Sequence, residues 1–405
     1  MPQTLLHACA QLACLLMPVF ALQAQHALTL DEVLATALRD NPDLRAARAR
    51  TDSARAEVRI ARAYPNPVVN VAPQNPYQYM LAAPLDLGPQ RTYRVRSGQS
   101  GAAAAALDHA DVERQLRFLL RQAFYDLVLA DSSRDVTRDE RDIFRDLLKA
   151  DSARFRAGDA PARNVGKSEL ELAKAEAALT RADALVRSSR LLLQALMGVA
   201  NPDTGFRVDG TLSVSAIHAP AVEAGDSALA RRPDVGAARH RTDASEDARR
   251  LATAEFLPVP GLTLVQQRDG PFPNGQHYAL GFSVQLPVWN WFTGERSRAA
   301  ASLTQSRVAE EKTRLTARTE IITAADQVRS TAELARRYDA GLLEKARRAL
   351  DDSRYAYRAG AIAYVDLLDA IRTWGQVRAD ALTAAHDYLV SVSSLSRATG
   401  KDVLP

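Results

Sequence analysis

Phe155-Arg156-Ala157-Gly158 recurs as Tyr357-Arg358-Ala359-Gly360: aromatic, Arg, Ala, Gly, each after a long helical run and before a shorter one. The correspondence continues downstream at the same offset, where Leu193 with Gly198 is echoed by Leu395 with Gly400. Upstream, Asn41-Pro42-Asp43 with Ala46-Ala47 is echoed by Arg232-Pro233-Asp234 with Ala237-Ala238. The chain is one unit of about 190–200 residues written twice. That is a duplicated domain, since solenoid modules repeat every roughly 20–50 residues.

Composition fits long helices. Aromatics are scarce, while Ala, Leu and Arg, which carry little helix penalty, are abundant. The net charge of +4 is a small excess over 52 basic and 48 acidic residues, with no clustered basic stripe. This pattern does not imply a nucleic-acid partner.

Residues 5–22 are largely apolar and are followed by Gln23-Ala24-Gln25, which reads as a secretory signal over 1–24. One feature departs from that pattern: no Lys or Arg precedes the apolar core, only His7. The alternative is an apolar first helix of the mature protein. Both cysteines, Cys9 and Cys14, fall in this segment, so the mature chain suits an exported protein without disulfides. Gln11-Leu12-Ala13 is a poor lipidation box. No later stretch has about 20 uninterrupted apolar residues, so no transmembrane helix is expected.

The first repeat, 25–200, opens with an amphipathic helix from Leu30-Asp31-Glu32 that restarts at Pro42. Val68, Val69 and Val71, then Tyr77 to Leu81, give two strands within about 66–86. A helical hairpin over about 91–197 follows, turning at Gly158. Leu116, Leu120, Ala123, Leu127 and Ala130 step 4-3-4-3, and Leu119, Phe124 and Val128 widen the stripe. A connector covers 201–225. The second repeat, 226–405, has strands over about 260–288, where Tyr278, Leu280, Phe282, Val284 and Leu286 alternate with small or polar residues. Its hairpin covers about 293–399. One unbroken helix is expected to Ala359, with Ile321, Ala325, Val328, Ala332 and Ala335 as its stripe.

Four short strands cannot close a barrel, which takes about eight or more, so copies must pool them. Tyr77, Tyr79, Phe272, Tyr278, Trp289 and Trp291 flank the alternating strands as an aromatic girdle would at a membrane interface. A soluble hairpin packed on helices is the competing reading. The fold class expected is mainly α with a small β part.

At this point the chain resembles the TolC-like outer-membrane efflux factors, and among them the heavy-metal efflux branch. The residues that carry the resemblance are Leu30-Asp31-Glu32 with Asn41-Pro42, Tyr64-Pro65, Pro84 to Gly88 with Arg91, Phe155 to Gly158, Arg231 to Val235, Pro287-Val288 with Gly294-Glu295, Tyr357 to Gly360, and Val365 to Ala370. Their order, spacing and duplication are specific; no single one is. The resemblance implies a homotrimer with a 12-stranded transmembrane barrel, a 12-helix periplasmic tunnel and a belt that takes the connector and the C-terminal end. It implies as partners a periplasmic adaptor, an inner-membrane pump and outer-membrane lipid, with no cofactor and metal cations or small toxic compounds as cargo.

Asp366 and Asp369, spaced i, i+3, share a helix face just after the Gly360 turn. The resemblance makes them rings of carboxylates at the periplasmic mouth; an ordinary solvated helix start is the alternative. It also makes the turns, with Arg156, Gly158, Arg358 and Gly360, the docking points for the adaptor. The Arg that helps latch the tip in such proteins is replaced by Ile362, and its acidic partner by Asn164, so a weaker or differently built latch is expected.

Enzyme chemistry has no foothold here. The histidines are scattered, and there is no phosphate loop or nucleophile motif. Two alternatives to an efflux duct remain open: a duct for type I protein secretion or drug export, and a periplasmic coiled-coil scaffold without a pore.

Overall fold

The computed structural model describes residues 27–73, 77–212, 226–268 and 276–401. The expected leader with Cys9 and Cys14 lies outside them, as does Phe272.

Helix α1 (Leu30–Asp40) starts with a capping box between Thr29 and Glu32, which satisfies two first-turn donors. It stops at Asn41, whose side chain caps α2 (Pro42–Arg62) by accepting from the N–H groups of Asp43 and Leu44. Strands β1 (Val68–Ala72) and β2 (Tyr77–Pro84) follow. Helix α3 (Pro89–Arg156) has 68 residues and runs about 100 Å. Helix α4 (Ala162–Met197) returns and ends at left-handed Gly198. The second repeat gives α5 (Asp226–Arg231), α6 (Pro233–Ala254), β3 (Pro260–Arg268), β4 (Gln276–Val284) and α7 (Thr293–Arg337). It ends with α8 (Leu343–Arg358) and α9 (Tyr364–Thr399).

The helix expected to run unbroken to Ala359 is divided. A π-turn over Tyr338–Leu342, with Gly341 at φ 100°, separates α7 from α8. The apolar stripe shows why a break is tolerated here. Ala335 is buried, and the next buried position among the described residues of this arm of the hairpin is Leu350. Among the described residues between them, Tyr338 is half-buried against the α7 core, and the turns after it are held by no buried side chain. A second correction concerns Leu119, which is 45 % exposed although Phe124 and Val128 beside it are buried. The stripe of α3 therefore widens on one side only.

The strands form one antiparallel sheet in the order β1-β2-β3-β4. Its register sorts the side chains into two faces. Val69, Leu81, Leu264 and Leu280 share one row, and Ala83, Leu262 and Phe282 another on the same face. The opposite face carries Val68, Ala82, Thr263 and Gly281 in one row and Asn70, Met80, Val265 and Ala279 in the next. The large apolar face is exposed, with Leu280 at 77 % and Phe282 at 67 %.

The helices make a single curved layer centred on α3. Near the sheet the order is α2-α3-α6-α7, and further away α4-α3-α9-α7. Cross-links between neighbours include Thr51 Oγ1 to the Ala105 carbonyl, Ser97 Oγ to the Ala244 carbonyl, and Thr331 with Ser391. The residues after α4 fold back on α3, where Phe206, Val208 and Leu212 pack against a core that includes Leu120, Phe124 and Leu193. At the far end, Phe144, Leu147, Leu350, Leu367 and Ile371 make a separate apolar cluster under the turns.

Candidate functional site

The two helical reversals lie together at the end remote from the sheet. Gly158 (φ 83°) and Gly360 (φ 75°) both sit in the left-handed region, which L-residues rarely adopt. That geometry closes α3–α4 and α8–α9 in few residues. Arg156 is exposed, with Nε on the Ser152 carbonyl, and Arg358 is exposed on α8.

Beneath the turns is a polar group that no sequence pattern announces. Asp151 of α3 has 0 % exposure. Its Oδ1 accepts from Tyr357 Oη at 2.7 Å, and its Oδ2 accepts from Ser168 Oγ at 2.5 Å. Ser168 Oγ also lies 3.1 Å from Tyr364 Oη. The serine has one proton, which the carboxylate takes, so its oxygen is left to receive the proton of Tyr364. Four helices, α3, α4, α8 and α9, thus meet on one buried carboxylate. Burial, then the bond to Asp151, raises the Tyr357 phenol above its ordinary pKa. An unpaired carboxylate here would cost several kcal/mol, roughly, so these partners hold the reversals in register.

The repeat contained a clue to this site. Phe155 and Tyr357 occupy equivalent motif positions, yet Phe155 is 48 % exposed and Tyr357 6 %. The extra hydroxyl marks the buried copy. Asp151 itself sits among charged helical residues and looks like one more solvated acid.

Asp366 and Asp369 are both exposed on the first turns of α9. Asp366 accepts from the Ala363 N–H at 3.0 Å, so it also helps start the helix. Ile362 packs against the apolar tip cluster, and the Asn164 N–H bonds to the Pro161 carbonyl. Neither position carries an ion pair across the tip.

Two further ion pairs cross from α9 to the first hairpin: Arg372 to Glu171 at 3.0 Å, and Arg378 to Asp139 at 2.8 Å. Higher up, His386 lies 2.6 Å from Asp126 and 3.0 Å from Asp387. Burial alone would lower its pKa, but the two carboxylates raise it overall.

At the sheet, Tyr79 (46 % exposed) and Tyr278 (66 %) lie on the large apolar face, and Tyr77 opens β2. Trp289 and Trp291 follow β4, exposed by 94 % and 59 %, and Trp291 stacks on Phe256. Leu286 falls beyond the end of the strand. Among the described residues no helix is long and apolar enough to cross a membrane, and no cluster of three His, Cys, Asp or Glu is placed to hold a metal.

The family profile described as "Outer membrane efflux protein" matches residues 33–199 and 224–401. The cobalt-zinc-cadmium resistance protein CzcC of Cupriavidus metallidurans is 24 % identical over 392 residues, covering 95 % of this chain and 93 % of the relative. The Campylobacter jejuni CmeC outer membrane channel superposes with a TM-score of 0.81 at 16 % identity, covering 93 % of this chain and 87 % of that one. The open state of the Neisseria gonorrhoeae MtrE outer membrane channel gives 0.78 at 19 % identity, covering 92 % and 89 %.

Proposed function

Since this chain belongs to the outer membrane efflux protein family, we propose that three copies close into one continuous duct, a barrel of twelve strands above a tunnel of twelve helices. The chain serves efflux at the outer membrane. The observation that carries the closed duct is that every layer of the protomer is open at both edges. The sheet leaves β1 and β4 without outer neighbours, which exposed strands do not tolerate for long. The helical layer ends at α7 on one side and, on the other, at α2 near the sheet and α4 further away. Both edges carry apolar residues seven apart that no neighbour covers: Leu185 and Leu192 on α4, and Val308, Leu315 and Ile322 on α7. That is coiled-coil spacing, and joining one edge to the other around a ring leaves none free. The large apolar sheet face then meets lipid and the small polar face lines the pore.

The cargo follows from the cobalt-zinc-cadmium resistance relative: metal cations, with small toxic compounds as the second class. The energy comes from an inner-membrane pump reached through a periplasmic adaptor at the turns. The first repeat spans 25–200 and the second 226–405, and the connector over 201–225 belongs with the C-terminal end to a belt around the duct. Asp366 and Asp369 place two rings of three carboxylates at the mouth, which attract cations and repel anions. The Tyr357–Asp151 bond joins the two hairpins and acts as the latch of the resting tip, in place of a pair at Ile362 and Asn164.

Single-channel conductance of the detergent-extracted protein in a planar bilayer tests this reading. A cation-selective pore that loses selectivity in Asp366→Asn/Asp369→Asn is expected. Folded trimers that never conduct, even with the latch removed, would refute the duct.

A further inference from the structure

Beside the middle of α3, the start of the second repeat crosses the end of α9, and the crossing leaves a cavity of about 310 Å³. Residues 110, 114, 117 and 121 recur on one face of α3, and Ser393, Ser396 and Arg397 form the facing stripe of α9. Arg231, at the end of α5, and Lys401, past α9, complete the wall. Among the described residues the lining holds six cations, Arg114, Arg117, Arg121, Arg231, Arg397 and Lys401, against one acid, Glu113. Arg114 is met by Asp111 at 2.5 Å and Arg117 by Glu113 at 2.8 Å, both from within α3. Arg121 is buried. Arg397 lies 4.9 Å above the Phe118 ring, and its Nε is buried without a hydrogen-bond partner among the described residues.

The duplication shows that packing does not require these charges, because the first repeat makes the same crossing. Asn41 Nδ2 donates to the Leu196 carbonyl at 2.8 Å, as Arg232 Nη1 donates to the Ala398 carbonyl at 3.1 Å. Gly198 and Gly400 are both left-handed. A Cβ on Gly198 would meet the Asp40 carbonyl oxygen at 2.7 Å, and one on Gly400 the Arg231 carbonyl oxygen at 3.3 Å. At these equivalent positions Arg231, Arg397 and Lys401 stand where the first repeat has Asp40, Ala195 and Val199. The second copy gathers positive charge at a crossing that the first copy builds without it. Cations crowded on one cavity repel one another, and an oxyanion with several charges relieves that repulsion, since guanidinium forks match the oxygens of phosphate and carboxylate. At 1.5 Å per residue, residues 110–121 stand about 30–50 Å along α3 from its sheet end, beyond the reach of lipid headgroups.

We propose that this cavity binds a small polyvalent oxyanion from solution, a polyphosphate or a polycarboxylate. Arg397 and Lys401 hold it from the end of α9, and Arg121 and Arg231 from α3 and α5. The bound anion ties the end of the second repeat to its own beginning and to the long helix of the first. The site lies within one chain, so it does not depend on three copies closing into a duct.

The test is isothermal titration calorimetry of the full chain in detergent with pyrophosphate, citrate and chloride at matched ionic strength. Pyrophosphate, citrate or both should bind once per chain, and chloride should not; which of the two binds tells a phosphate site from a carboxylate site. Arg397→Ala/Lys401→Val installs the residues that the first repeat carries at the same crossing, so the fold is retained. Affinity should fall at least about tenfold, the effect of losing one hydrogen bond to a charged group. Arg329→Gln/Arg347→Gln removes the same charge from exposed positions on α7 and α8 and should leave affinity unchanged. Hydrogen exchange on the wild type needs no variant: the anion that binds should slow exchange over residues 393–401 and leave the turn at Gly158 as it was. No binding by either polyvalent anion, or equal heats for chloride, would overturn the proposal. So would an affinity unmoved by Arg397→Ala/Lys401→Val, or unchanged exchange over 393–401.

Discussion

Replacing Tyr357 by Phe removes one hydroxyl from a buried carboxylate and leaves the ring in place. The bond to Asp151 is 2.7 Å long and its acceptor has 0 % exposure. A hydrogen bond to a charged group is worth about 1.5–3 kcal/mol, so breaking it shifts an equilibrium about 10- to 150-fold. Tyr357 lies on α8 and Asp151 on α3, so the bond is lost when the hairpins part. The full change should appear as more frequent tip opening. Tyr364→Phe is the internal control. It also joins the hairpins, but through neutral Ser168, so about 0.5–1.5 kcal/mol is expected. Open probability in a planar bilayer should rank Tyr357→Phe above Tyr364→Phe above wild type. The phenol pKa is raised on folding, so the contribution of Tyr357 is complete below about pH 10 and lost as pH rises through the higher folded value. An inverted ranking, or a Tyr357→Phe channel that opens no more often than wild type, would refute the assignment of the latch.

The sheet faces are tested by a pair of lysines one residue apart. Leu280→Lys should cost about 2–4 kcal/mol and reduce membrane assembly, whereas Ala279→Lys on the opposite face should assemble and alter conduction. His386 gives a pH signature: its pKa is raised, so its contribution to the α3–α9 contact is full below about pH 6.5 and fades as pH rises through the folded value. Melting temperature should fall over that window in wild type and stay flatter in His386→Gln. Gly341→Ala forces a side chain into φ 100° at a cost of about 1–2 kcal/mol, and the melting temperature should drop accordingly. A Gly101→Ala control, in an ordinary helical position with open space around it, should be neutral or stabilising.

The duplication, the long hairpins, the two strand pairs and their alternation are legible in the residues alone. Each is local: periodicity, Pro and Gly punctuation and helix propensity act within a few residues. The stripe from Leu116 to Ala130 is an example, for its five positions are buried as their spacing requires. What spacing cannot say is which neighbour does the burying. That α3 is the hub of both helical tiers emerges from packing alone, because any amphipathic face is satisfied by any apolar partner. The same limit hid the break at Gly341, where a lone glycine in a helical run takes φ 100° with open space around it. It also hid Asp151. A carboxylate seven residues before the Gly158 turn reads as solvated, and its burial rests on hydroxyls brought from 17, 206 and, through Ser168, 196 residues away.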